Sequence, residues 1–145
     1  MAIEFITFLL AIIGYVGLAA NTVLISQGKF HQGLITVAAM VIVIHVLMVW
    51  HFRYEWQFSE ATRNGYVGFL LFHFSLLAIG GATIFPENQA KWLIILSFLI
   101  VSVGAIGATF RYEVVTIYRY PVLLIAVVGV GFLLRNAQLK FRGGS

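Results

Sequence analysis

The chain has no cysteine, no aspartate and two prolines in 145 residues, and charged residues make up 10% of it. Without cysteine there are no disulfides, no thiolate-bound metal and no cysteine nucleophile, and the redox compartment stays open. Without aspartate, and with no glutamate deep in an apolar run, a carboxylate relay or acid–base pair lacks its parts. There is also no glycine-rich phosphate loop, Walker pattern or nucleophile elbow. No catalytic activity of its own is expected. The charges that do occur, net +4, gather near the ends of apolar runs. That distribution suits anionic lipid headgroups and not nucleic acid, which calls for a basic face.

What fills the chain instead is hydrocarbon. Hydrophobic residues make up 61% of it, with a mean hydropathy of +1.00. A soluble domain of this length cannot hide so much apolar surface, so lipid is the solvent and the chain reads as an integral membrane protein. Five apolar runs predict transmembrane helices over about 5–25, 34–52, 66–84, 92–109 and 117–134. The expected fold is thus an all-α bundle of five spans in one domain, with four as the fallback if the last lies in the interface. A helix needs about 20 residues to cross the bilayer core, with about 17 as the lower limit. The last run meets that limit only by borrowing Ile117, Tyr118 and Tyr120, with Pro121 in its first turn, where a missing N–H does no harm. The runs do not alternate, which excludes a barrel.

The first run is expected to be a retained span, because Glu4 stands where a signal peptide carries basic residues. Short links predict antiparallel neighbours. They are a tight turn at Gln27–Gly33, a longer link Arg53–Gly65 closed by Arg63-Asn64-Gly65, a turn at Pro86, and a surface turn over Arg111–Tyr120. Trp50, Trp56, Trp92 and several tyrosines fall at segment ends, as belt residues do. Arg53, Arg63, Arg111 and Arg119 lie on the N-terminal face, against Lys29, Lys91, Arg135, Lys140 and Arg142 opposite, which leans towards a cytoplasmic C-terminus. A bacterial or archaeal plasma membrane is the expected location.

Small residues predict packing seams at Gly14 and Gly17, at Gly104, Gly107 and Ala108, and at Gly129 and Gly131, with Asn21 as an interhelical hydrogen bonder. Phe-Arg-Tyr-Glu occurs at Phe52–Glu55 and again at Phe110–Glu113, each time after a span. Little else matches at that offset, so anchoring by snorkelling arginine and belt tyrosine explains it better than duplication.

The functional clue is the stretch from His45 to His73. Imidazoles are costly in a bilayer, so they normally face a partner, a cofactor or a cavity. His45 lies near the middle of the second span, and His73 lies at a depth within ~3 Å of it on the third. Both could face one object between the helices, such as a haem iron or another tetrapyrrole's metal. Phe69, Phe72, Phe74, Trp50 and Met48 are candidate lining residues. His51 points about 120° away from His45 and sits near the interface. It could join His73 instead in a shallower site for haem or copper, with Arg53, Arg111 and Tyr112 as anchoring groups. Imidazole suits copper, zinc and iron alike. The ordinary alternative is a hydrogen bond to a neighbouring helix carbonyl, and for His31 and His51 plain solvation.

His31 in FHQGLI, His51 in VWHF, His73 in LFHFSLLA, and Pro121 and Gly129 in YPVLLIAVVGVGF carry a resemblance over roughly residues 12 to 135. The chain resembles the small multi-span membrane protein family that includes a cytochrome (haem–copper) oxidase assembly factor. That family's pattern has a histidine at each end of the second helix, one in the third, and one before a proline-started last helix. Tyr112 stands at the fourth histidine position, Ile35 at a methionine position, and His45 falls outside the pattern. The resemblance implies handling of haem or copper for a respiratory oxidase, with other membrane subunits as partners. An alternative expectation is an accessory subunit of a larger membrane complex, packing partners, lipids or pigments.

Overall fold

A computed structural model describes residues 2–63, 65–111 and 113–143. Among them there are helices and no strand. The helices are α1 (Ala2–Ser26), α2 (Gln32–Phe52), the short α3 (Phe58–Thr62), α4 (Tyr66–Ala82), α5 (Glu87–Arg111) and α6 (Arg119–Gly143). A 3₁₀ segment, Glu113–Tyr118, leads into α6. Continuous apolar runs without interior proline leave the backbone one choice in lipid, where every N–H must find a carbonyl within its own segment.

Four stretches are long and apolar enough to cross a membrane: Ile3–Ser26, Gln32–Phe52, Glu87–Arg111 and Val115–Leu139. The chain is an all-α membrane bundle. The short apolar helix is α4, with 17 residues, and not the last one. The last helix gains length because Arg135, Asn136 and Gln138 continue it past its apolar stretch. Pro121 falls in its first turn, as expected. The Arg53–Gly65 link is not plain loop, since it holds α3; Asn64 in its closing turn lies outside the described residues. Gly28, at φ +79°, makes the α1–α2 turn in the left-handed region that a side chain resists.

Helices α1 and α5 form the centre. α2 packs on α1, α4 packs on α5, and α6 lies against both α1 and α5. The ladder of hairpins is antiparallel, as the short links require. The buried core runs through Leu18, Ile35, Ile79, Ile94 and Phe98. In lipid, burial of apolar surface does not drive helices together, so close backbone approach and hydrogen bonds must. Both are present. Gly14 and Gly17 of α1 face Ile42 and Ala38 of α2, Gly104 faces Phe72, and Gly129 faces the ring of Phe98. Gly107 and Gly131 face open space, so those two are not seam positions. Tyr15 of α1 meets Ser102 of α5 at 2.7 Å. Ser75 and Ser97 each donate to the other's backbone carbonyl, at 3.4 and 3.2 Å, tying α4 to α5. Asn21 is buried but does not bond between helices: its amide donates to the Gly17 carbonyl of its own helix at 2.9 Å, because that acceptor sits one turn back.

The α2–α4 seam differs. It is tied at one end by Gln32, whose amide donates to the Thr83 carbonyl at 2.8 Å. At the other end Trp50 reaches His73. Between them lies an apolar groove of about 390 Å³, lined by Thr36, Ala39, Met40, Val43, Ile44, Gly80 and Thr83.

Candidate functional site

The four histidines go to four environments. His45, half-buried on α2, turns to α1, where its Nδ1 donates to the Thr7 carbonyl at 2.9 Å. The bond is interhelical and ties α2 to the N-terminal part of α1. His31 is exposed at the start of α2 and makes no side-chain cap. His45 and His51 face different partners, as six residues of helix require.

His73 and His51 are joined through indoles. The Trp50 Nε1–H donates to His73 Nε2 at 3.2 Å, and the Trp56 Nε1–H donates to His51 Nδ1 at 3.2 Å. The two indoles stack, with centroids 6.1 Å apart and planes at 22°. His73 Nδ1 donates to the Phe69 carbonyl, one turn back on α4, at 2.8 Å. An indole N–H only donates, so each imidazole must present a lone pair to it. His73 is thereby a neutral ring with its proton on Nδ1 and its lone pair on Nε2. Phe69 also stacks on the His73 ring at 3.9 Å and meets Phe58 of α3 edge-on at 5.2 Å. The result is a continuous aromatic cluster from α2 across α3 to α4.

The backbone pays for this arrangement at one turn. Glu55 and Trp56 have φ of +48° and +60°, two consecutive side-chain-bearing residues in the left-handed region. Each such residue costs about 1–3 kcal/mol unless its surroundings hold it. Here the holding contacts are those of the Trp56 indole with Trp50 and His51.

Of the expected lining, Trp50 and Phe69 surround His73, whereas the partly exposed Phe72 lies with its ring against Gly104 of α5 and Phe74 is exposed. Arg53 lines a polar surface cavity of about 220 Å³ with Tyr54, Glu55, Gln57 and Glu60. Glu60 pairs with Arg63 at 3.2 Å. Arg111 ends α5, and Tyr112 lies outside the described residues. A third arginine, which the sequence placed only among the charges of the N-terminal face, joins two elements. Arg119 donates to the Thr109 carbonyl at 3.1 Å and lies 4.3 Å over the Phe110 ring, binding the foot of α6 to the end of α5. Sequence reasoning also missed Trp56 and Phe58 as neighbours of the histidines. The only signal was their aromatic character in an otherwise polar link.

A metal-bearing ligand needs an imidazole lone pair held in a fixed direction and room before it. His73 supplies the first, because a backbone carbonyl fixes its other nitrogen, as it commonly does for metal-binding histidines. The room is taken by Trp50. The donor chemistry fits a tetrapyrrole or metal ion at this ring once the indole has moved. Among the described residues, no group of three or more His, Asp or Glu side chains is placed to hold a metal ion. Neither of the two cavities named above is lined by a histidine. No family model, curated protein or solved structure matches the chain.

Proposed function

We propose that this integral membrane protein binds a tetrapyrrole such as haem, or a metal ion such as copper, through His73, with His51 nearby as a second donor. On this reading it serves the assembly or electron transfer of a respiratory or other redox membrane complex. The observation that supports it is the state of His73: a neutral imidazole in an apolar helix, with Nδ1–H bound to the Phe69 carbonyl and a single lone pair on Nε2. An intramembrane imidazole so fixed is the arrangement that metal ligation uses. His45 has its Nδ1 bound to a carbonyl in the same way, but that carbonyl belongs to Thr7 of α1 and not to the aromatic cluster around His73, so His45 is not part of this site. When bound, a haem or copper ion would supply the redox chemistry. The chain's own residues would fix the imidazole, surround it with aromatic rings and keep it dry.

The test is an absorption spectrum and metal analysis of the protein purified from membranes. A Soret band or stoichiometric copper, lost in His73→Ala and retained in His45→Ala, is expected. A colourless, metal-free protein that takes up neither haemin nor copper overturns the reading.

A second reading is supported by the open α2–α4 groove, whose residues Met40, Val43 and Ile44 are exposed to lipid. In it the protein is an accessory subunit whose α2–α4 face packs a neighbouring helix. Co-purification at fixed stoichiometry in a larger assembly, dependent on groove residues and not on His73, would favour it.

A further inference from the structure

Each imidazole of the aromatic cluster accepts an indole N–H on one ring nitrogen. Trp50 covers His73 Nε2 and Trp56 covers His51 Nδ1, each at 3.2 Å. On His73 the other nitrogen is committed to Phe69, so nothing can reach a lone pair there unless Trp50 leaves. Trp50 also stacks against Trp56 at 22° between planes. One indole therefore cannot swing out while the other keeps all its contacts. Trp56 in turn sits on the strained turn, at φ +60° directly after Glu55 at +48°. A strained segment held by one set of contacts relaxes when those contacts go. Trp56 is 59% exposed, so it has space to move into.

We propose that Trp50 and Trp56 form a displaceable cap over His73 and His51, latched by the left-handed turn at Glu55–Trp56. Closed, the cap satisfies both imidazoles with indole hydrogen bonds. Open, it frees His73 Nε2 and His51 Nδ1 together and lets the turn relax. The inference rests on the reading that His73 takes a metal-bearing ligand, and it adds what controls access to that nitrogen. Ligand and indole compete for one lone pair, so the apparent affinity scales with the fraction of molecules whose cap is open.

Diethyl pyrocarbonate acylates an imidazole lone pair with loss of ethyl carbonate, and fragmentation of the tryptic peptides in tandem mass spectrometry locates the label on each histidine without any bound cofactor, His31, His45 and His51 sharing one peptide. In the full-length protein in lipid nanodiscs, His73 should react slowly against the exposed reference His31. Trp50→Phe removes the N–H and keeps an aromatic ring. It should speed His73 labelling roughly three- to tenfold, the worth of one hydrogen bond, while His45 labelling stays unchanged. Trp56→Phe, at an exposed position where folding is not at risk, should speed His51 directly and His73 through the lost stack. Unchanged His73 labelling in Trp50→Phe, or an effect of Trp56→Phe on His51 alone, overturns the coupled cap. Haemin titration followed by tryptophan fluorescence separates this inference from the one beneath it. Faster labelling with no haemin binding in any variant leaves the cap standing and removes haem as its ligand. Haemin binding equally tight in wild type and Trp50→Phe removes the cap and leaves the ligand.

Discussion

Two seams of the bundle solve the same problem differently. The inner seam, α1 against α5 with α4 and α6 beside it, is dry and tight: Phe98 is fully buried, its ring lies against Gly129, and Tyr15 stacks on it at 5.9 Å while bonding Ser102. The outer seam, α2 against α4, is fastened at its two ends and open between. In lipid, what separates a closed seam from an open one is the size of the residues that meet and the hydrogen bonds that cross, not hydrophobicity. Both seams are lined by apolar side chains. The inner one has glycine and serine where the outer has Met40, Val43 and Ile44. The histidine whose lone pair accepts the Trp50 indole N–H lies at an end of the open seam.

The contrast breaks most sharply at Phe98. Phe98→Ala should cost the bundle on the order of 3 kcal/mol or more, the usual loss for an aromatic ring removed from a packed interior, read as a fall in thermal midpoint in detergent. Next comes Gly129→Ala, whose new methyl would overlap the Phe98 ring and should cost about 1–3 kcal/mol. Gly131→Ala faces open space and should stay within about 0.5 kcal/mol of wild type. Combining Phe98→Ala with Gly129→Ala should cost clearly less than the sum, because the methyl enters the space the ring left. A strictly additive pair would mean the seam is not packed as described. His45→Phe removes the bond to Thr7 and should cost about 0.6 kcal/mol, typical of one interhelical hydrogen bond in a membrane. Smallest is Gln32→Ala on the outer seam, expected within about 0.5 kcal/mol because its partner carbonyl is at a solvated helix end. A large Gln32 effect would show that the open seam is held more firmly than its geometry implies.

The helices were legible because hydropathy reads lipid exposure directly. Every apolar run became a helix, with ends shifted by a few residues where polar side chains such as Glu87 and Lys91 extend α5 through an ion pair. The seams were half legible. A glycine announces that something can come close, but only the rotation of the helix decides whether anything does, which is why Gly129 packs and Gly131 does not. The site was least legible. The pairing of His51 with Trp56 depends on a left-handed turn at two residues that are not glycine, and no local propensity signals it. His73's importance followed from cost alone, since an imidazole in an apolar helix calls for a reason. Its two partners, a carbonyl one turn back and an indole on another helix, could not be read from spacing.

Helix α4 has 17 residues, about 25 Å at the rise of an α-helix, against a hydrocarbon thickness of about 30 Å. A rod too short for its slab draws the slab in around it, at a cost of a fraction of a kcal/mol per ångström. For α4 to span, the hydrocarbon beside it would have to thin by about 5 Å, or residues flanking the helix would have to make up the length.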